Sequence, residues 1–98
     1  MGDIFAFGIP DSTQPKEVIF VLNGKEQEPV EVSKGATLFE ALRKCFDNYV
    51  KDGSIVTIGT EKGIMEVEIN GRAVKKMPSG YRIHHDCKVF LTVYWPGG

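Results

Sequence analysis

The sequence predicts an α+β domain in which a mixed sheet of four to five strands packs on one helix. The chain has 98 residues, of which 42% are apolar and 26% charged, and this size and composition fit one compact core. Segments typical of strands occur before and after one segment with helical spacing. The order is hairpin, helix, short strand, strand, loop and terminal strand, which is too few elements for a doubly wound sheet.

The first strands are predicted from turn chemistry. Residues 1–15 mix apolar side chains with Pro, Asp and Ser, and we treat them as an N-terminal extension of a domain that spans residues 16–94. Residues 18–22 are β-branched, aromatic or aliphatic, and Asn23-Gly24 is a strong hairpin signal. Val30 and Val32, which alternate with charged residues, predict the returning strand.

One amphipathic helix is predicted over residues 38–49. Thr37 and Glu40 form a capping-box pattern, and apolar residues recur at helical spacing up to Tyr49. The dipeptide Asp52-Gly53 is then expected to end the helix.

The second half predicts three strands. Residues 55–58 form a short strand closed by a turn over residues 59–63, and alternating residues 65–69 form a half-buried strand ending at Asn70-Gly71. The last strand covers residues 88–95. It is expected to place two sets of side chains on opposite faces, Val89, Leu91 and Val93 on one and Phe90, Thr92 and Tyr94 on the other.

The charge balance and cysteine spacing exclude several functions. With 12 basic and 13 acidic residues the net charge is −1, which leaves no basic excess for nucleic acid. Apolar runs are too short for a signal peptide or a membrane span, so a cytoplasmic protein without a membrane partner is expected. Cys45 and Cys87 match no metal-binding spacing, and reduced thiols are expected.

Three segments resemble the ubiquitin-like sulfur carriers, typified by the thiamin-pathway carrier and the small subunit of molybdopterin synthase. They are residues 21–25 (VLNGK), residues 68–74 (EINGRAV) and residues 85–89 (HDCKV), and the last strand then runs into Pro-Gly-Gly. The resemblance covers roughly residues 16–98 and implies a β-grasp fold. Cys87, the bulky Trp95 and the N-terminal extension depart from the family pattern.

The resemblance also implies how such a protein works. Gly98 would be activated as an acyl-adenylate by an E1-like adenylyltransferase, which uses ATP, and would receive sulfur from a persulfide or sulfide donor. The resulting thiocarboxylate would give its sulfur to a downstream enzyme. The chain itself would be no enzyme and would hold no cofactor permanently.

The tail over residues 95–98 suits entry into a partner's narrow site. Gly97 and Gly98 have no Cβ, so the backbone can approach a nucleotide closely. Pro96 fixes φ and favours an extended conformation at Trp95, which would hold the tail away from the domain. These four residues are therefore the expected working end.

Other candidate residues have weaker patterns. In an extended segment only two of His84, His85, Asp86 and Cys87 could converge on a metal, so a metal site is not expected, and Cys45 lies on the helix's apolar face among core residues. Phe90, Tyr94, Trp95 and Arg72 are candidates for a partner-binding surface. Lys75, Lys76 and Arg82 make this half locally basic, which is typical of a solvated face or of a surface for an acidic partner.

Two alternatives stay open from the sequence. A ubiquitin-like modifier would use the same adenylation and join Gly98 to target lysines through an isopeptide bond. A β-grasp interaction module would use a sheet face and leave the tail without a role.

Overall fold

The structure, a computed structural model, describes residues 14–75 and 78–95. These ranges contain eight strands, one α-helix and one 3₁₀ turn. The elements are β1 Lys16–Leu22, β2 Lys25–Glu26, β3 Val30–Val32, α1 Leu38–Cys45, β4 Val50–Asp52, β5 Ile55–Ile58, β6 Glu61–Ile69, β7 Arg72–Ala73, the 3₁₀ turn Pro78–Gly80 and β8 Cys87–Tyr94.

The strands form one mixed sheet, which confirms the α+β class. Its order is β2-β1-β8-β6-β5-β4, with β3 also paired to β1 and β7 also paired to β6. The β1–β8 pair is parallel and the other pairs are antiparallel. The predicted count of four to five strands was too low, because β2, β4 and β7, each of two or three residues, follow turns and show no periodicity of their own.

The two Asn-Gly dipeptides make the same kind of turn. Asn23 and Gly24 have φ of 48° and 82°, and Asn70 and Gly71 have φ of 55° and 78°. Positive φ at both central positions is the type I′ geometry that matches the twist of a hairpin. The predicted hairpin turn at Asn23-Gly24 is therefore confirmed.

The helix is shorter than predicted. It ends at Cys45 with Phe46 as its extended C-cap, although the capping box at Thr37 and Glu40 is formed as expected. Just beyond, the Asn48 amide donates to the carbonyl of Gly59 at 2.6 Å and its Oδ1 accepts the Gly59 N–H at 2.8 Å. These bonds hold the segment after the helix against the β5–β6 turn. Phe46 and Tyr49 are therefore buried although they lie outside the helix.

Two turns also differ in position from the prediction. Asp52-Gly53 does not end the helix but begins the β4–β5 turn, where Gly53 has φ of 63°. The turn predicted over residues 59–63 is confined to Gly59-Thr60, because β6 already begins at Glu61.

The core lies between α1 and one face of the sheet. It joins the inward residues of β1, α1, β5, β6 and β8 with Ile83, and the Phe20 and Phe46 rings meet edge to face at 5.9 Å. On β8 the residues Val89, Leu91 and Val93 share one face, as predicted, and the structure shows that this face is buried while the opposite one is exposed. Within the described ranges, no helix has the length and apolar character needed to cross a membrane.

Candidate functional site

The site expected from the sequence is built on the end of β8. This strand lies between β1 and β6 in the sheet, and its last residue, Tyr94, pairs with Ile64 of β6. Trp95 follows directly. Pro96, Gly97 and Gly98, the remaining residues of the predicted working end, lie outside the described residues.

A glycine of β6 brings the backbone unusually close to this end. A Cβ on Gly63 would lie 2.2 Å from the Tyr94 carbonyl oxygen and 2.6 Å from its carbonyl carbon. At Gly63 the strand also changes partner, since it pairs with β5 up to this residue and with β8 from Ile64 onward. Only glycine permits this approach, and it fixes where the chain leaves the sheet.

Asn23 holds the same end from the other side. Its side-chain Oδ1 accepts the Val93 N–H at 2.8 Å and its Nδ2 donates to the Val93 carbonyl at 3.1 Å. The same Nδ2 lies 3.1 Å from Glu61 Oε1, to which it also donates. The amide thus replaces the backbone partner that β1 no longer provides after Leu22, because Asn23 already begins the turn.

Tyr94 and Trp95 are the aromatic residues next to the tail. The Tyr94 hydroxyl donates to Glu66 Oε2 at 3.1 Å, and this hydrogen bond, followed by the charge of Glu66, raises the pKa of Tyr94. Trp95 is 57% exposed. With Val50, Asp52, Ile55, Thr57 and Lys62 it lines a hollow of about 380 Å³ beside the β4–β5 hairpin.

Phe90 and Arg72 are not beside Tyr94 and Trp95. Phe90 pairs with Glu68 and lies four residues before Tyr94 on the same face, which is roughly 13 Å at the rise of a strand. Arg72 pairs with Ile69, at the opposite end of β6 from Ile64, roughly 17 Å along the strand. A partner that contacts Trp95 must therefore cover a long stretch of sheet to reach either residue.

The outer face of the sheet carries charges of both signs near the candidate aromatic residues. Glu66 lies opposite Thr92 and Glu68 opposite Phe90, and all four line one hollow of about 420 Å³. Of the basic residues of the second half, Lys75 lines the same hollow, whereas the Arg82 Nη1 donates to the Gly35 carbonyl at 2.9 Å on the helix side. Lys76 lies outside the described residues.

Both thiols are half-buried and pack against the core. Burial raises the pKa of Cys45, and burial followed by the charge of Asp86 raises the pKa of Cys87. Asp86 itself accepts the Glu17 N–H at 2.8 Å, which joins the start of β8 to β1. In residues 14–75 and 78–95 no three side chains of the metal-binding types are grouped. These groups act in packing and strand pairing.

Gly63 and Asn23 were not identified as site residues from the sequence. Asn23 was recognised only as a turn former, and Gly63 was assigned to a turn. Both act on residues more than thirty positions away in the chain, and no local pattern signals such a contact. An isolated glycine inside an apolar, alternating segment is the one available hint of close backbone approach.

Comparison of the chain with protein-family models, with curated proteins and with solved structures finds no match in any of the three.

Proposed function

We propose that this protein is a β-grasp sulfur carrier whose working group is the carboxylate of Gly98. The arrangement of β1–β2 hairpin, single described helix and mixed sheet is compatible with a β-grasp fold. The observation that carries the proposal is the position of the last strand. β8 is an interior strand, fixed by Gly63 and Asn23 up to its last residues, and the Gly97-Gly98 dipeptide follows three residues later.

The proposed chemistry takes place at one carboxylate. In a partner adenylyltransferase the Gly98 carboxylate attacks the α-phosphorus of ATP, and pyrophosphate leaves. Sulfide then displaces AMP to give the thiocarboxylate directly; a persulfide gives an acyl disulfide, which a second thiol of the donor reduces to the same product. In a downstream enzyme the thiocarboxylate sulfur attacks the acceptor, and water then cleaves the acyl–sulfur bond, which leaves the sulfur on the acceptor and returns Gly98 to the carboxylate.

This chain contributes presentation and recognition to that cycle. Tyr94 and Trp95 form an exposed aromatic pair at the exit of the tail, and such residues often dominate binding energy at interfaces. Cys45 and Cys87 have raised pKa values through burial, so neither thiol is suited to carry the sulfur itself. The partner enzymes supply the nucleotide, the sulfur and the acid-base groups.

Intact-mass analysis of the protein isolated from its native cell tests the proposal. We expect a fraction in which one oxygen of the terminal carboxylate is replaced by sulfur, and fragmentation should place that sulfur on Gly98. Gly98→Asp should abolish this species without changing the melting temperature, whereas Lys25→Glu, on the far edge of the sheet, should retain it. Absence of the species under all growth conditions would refute the carrier function.

The same experiment separates the carrier from a modifier. A modifier would be recovered in conjugates of higher mass that leave a Gly-Gly remnant on target lysines. Such conjugates, found without any thiocarboxylate, would replace the proposal by the modifier function. If Gly98→Asp leaves the cellular role unchanged, the tail has no part in it and the protein acts as an interaction module.

A further inference from the structure

A groove lies on the helix side of the molecule, away from the outer face of the sheet. Its walls are the exposed side of α1, the start of β4 and the 3₁₀ turn, and its volume is about 390 Å³. The residues that line it are Phe39, Arg43, Tyr49, Val50, Lys51, Pro78 and Ser79. None of them belongs to the tail or to the hollow around Phe90.

The floor of the groove is apolar and accessible. Phe39 is 38% exposed and packs edge to face on Tyr49, with ring centroids 5.7 Å apart. Val50 is 58% exposed at the edge of the sheet, the highest exposure among the large apolar side chains of the described residues. Large side chains placed in this way on adjacent elements form a surface that an apolar partner can cover.

The charged residues of the groove are both basic. The Arg43 guanidinium carbon lies 5.8 Å from the centre of the Phe39 ring. Lys51 donates one hydrogen bond from Nζ to the Gly53 carbonyl at 2.7 Å, and its ammonium has two further donors. Because none of the described residues that line the groove carries a carboxylate, these cations favour an acidic occupant.

The strand beside the groove has an open side. β4 is the last strand in the sheet order, and among the described residues it pairs with β5 alone. Asp52 and Ile55 flank the two-residue turn, and such flanking residues exchange hydrogen bonds while the next pair does not. The backbone N–H and C=O of Lys51 therefore point to the outer edge, where an extended peptide could pair with them.

We propose that this groove binds an extended acidic and aliphatic segment of a partner protein. The segment adds a short strand at Lys51, places an aliphatic side chain against Phe39 and Val50, and directs carboxylates to Arg43 and Lys51. Of the residues that line the groove, Val50 also lines the hollow beside Trp95. The proposed binding does not use the Gly98 carboxylate, so this proposal is independent of the sulfur-carrier function. It describes a second way in which the domain holds a partner.

Fluorescence polarisation with a defined probe tests the proposal on the full chain. The probe is a fluorescein-labelled peptide of three valines flanked on each side by two glutamates, and the control probe has lysines in place of the glutamates. We expect saturable binding of the acidic probe with a Kd on the order of 100 µM, because the contact is short. The basic probe should bind at least about tenfold more weakly.

Matched variants locate the site. Arg43→Glu and Val50→Asp should each weaken binding of the acidic probe about tenfold or more, which corresponds to about 1.4 kcal/mol. Lys25→Glu makes the same charge change at the opposite edge of the sheet and should leave the Kd unchanged. Arg43 and Val50 are exposed, so both variants should keep the wild-type circular dichroism and melting temperature.

Three results would overturn the proposal. Equal affinity for both probes, or equal loss with Lys25→Glu, would show that the groove does not recognise the acidic segment. Sedimentation velocity that shows self-association abolished by Val50→Asp would identify a second copy of this chain as the occupant. Tighter probe binding by the full-length Phe7→Ser variant would show that the chain's own N-terminal segment competes for the groove.

Discussion

Replacement of Gly63 by alanine tests how the end of β8 is positioned. An added Cβ would lie 2.2 Å from the Tyr94 carbonyl oxygen and 3.2 Å from the Trp95 nitrogen. Backbone atoms cannot rotate away as a side chain can, so β6 and β8 must separate by roughly 1 Å in a closely packed region. That separation weakens the last pair of the β6–β8 ladder, Ile64 and Tyr94.

The cost follows from two contributions. Overpacking costs about 1–3 kcal/mol, and a weakened ladder hydrogen bond adds about 1 kcal/mol, so we expect Gly63→Ala to lower the free energy of unfolding by roughly 3 kcal/mol. For a domain of this size that corresponds to a fall in melting temperature of roughly 15 °C. Gly71→Ala is the matched control, because Gly71 has φ of 78° but no atom within 4 Å of an added Cβ. Backbone strain alone should cost this control about 1 kcal/mol.

Urea unfolding followed by far-ultraviolet circular dichroism measures both losses. The chain contains a single tryptophan, so native-state fluorescence of Trp95 reports separately on the exit of the tail. We expect its emission to change in Gly63→Ala and to stay constant in Gly71→Ala. A stability loss in Gly63→Ala no larger than that of the control would refute the close approach of β6 to Tyr94.

Three further variants probe the side chains that hold the fold. Asn23→Ala should lower the free energy of unfolding in urea by about 2–3 kcal/mol, because the hydrogen bonds of its amide to β8 are lost. Asn70→Ala, which has the same turn geometry, is the control and should cost about 1 kcal/mol. Equal losses in the two variants would contradict the role of the Asn23 amide. Asn48→Ala removes both hydrogen bonds to the β5–β6 turn and should lower the free energy of unfolding by about 1–2 kcal/mol. An unchanged urea midpoint would disprove the contribution of these two bonds. Hydrogen bonds from the backbone and then from the hydroxyl of Thr37 hold the pKa of Glu40 below its ordinary value. The stability that this carboxylate adds is therefore fully present above a pH of about 4.3, the ordinary pKa of Glu. It is lost as the pH falls through the lower pKa of the folded state. The difference in melting temperature between wild type and Glu40→Gln should accordingly shrink in acid, and a constant difference would show that the capping carboxylate does not act through its charge.

Local patterns in the sequence were sufficient for most of the fold. Alternation divided the residues of β8 between two faces, and Asn-Gly chemistry placed the turn after β1, because each of these features depends on neighbours within a few residues. The end of α1 could not be predicted in this way. Phe46 and Tyr49 are buried at helical spacing in the sequence, yet the bonds between Asn48 and Gly59 place them in a non-helical segment. The contact of Asn48 with Gly59, eleven residues further along the chain, therefore outweighs the local helical preference.

The candidate site likewise combines features that follow from local sequence with features that depend on pairing between strands. The exposure of Tyr94 and Trp95 follows from their place in an alternating strand and directly after it. The separation of Arg72 from Tyr94 could not be predicted in this way, because it depends on the register of β6 with β7 and with β8. The arrangement of charges around Phe90 has the same origin, since Glu66 and Glu68 are brought to it by pairing across strands.

The restraints on the end of β8 bear on how the proposed tail would work. Asn23 acts on Val93 from the turn after β1 and Gly63 acts on Tyr94 from β6, so the position of Trp95 is determined by the folded sheet and not by the sequence next to it. A tail that starts from a fixed point loses less conformational entropy when it enters a partner's site. Variants of Asn23 or Gly63 should therefore weaken recognition by the adenylating partner through the binding step, while variants of Gly98 should block the chemical step and leave binding intact. A partner that binds the Gly63→Ala protein as tightly as wild type would show that a fixed starting point contributes nothing to recognition.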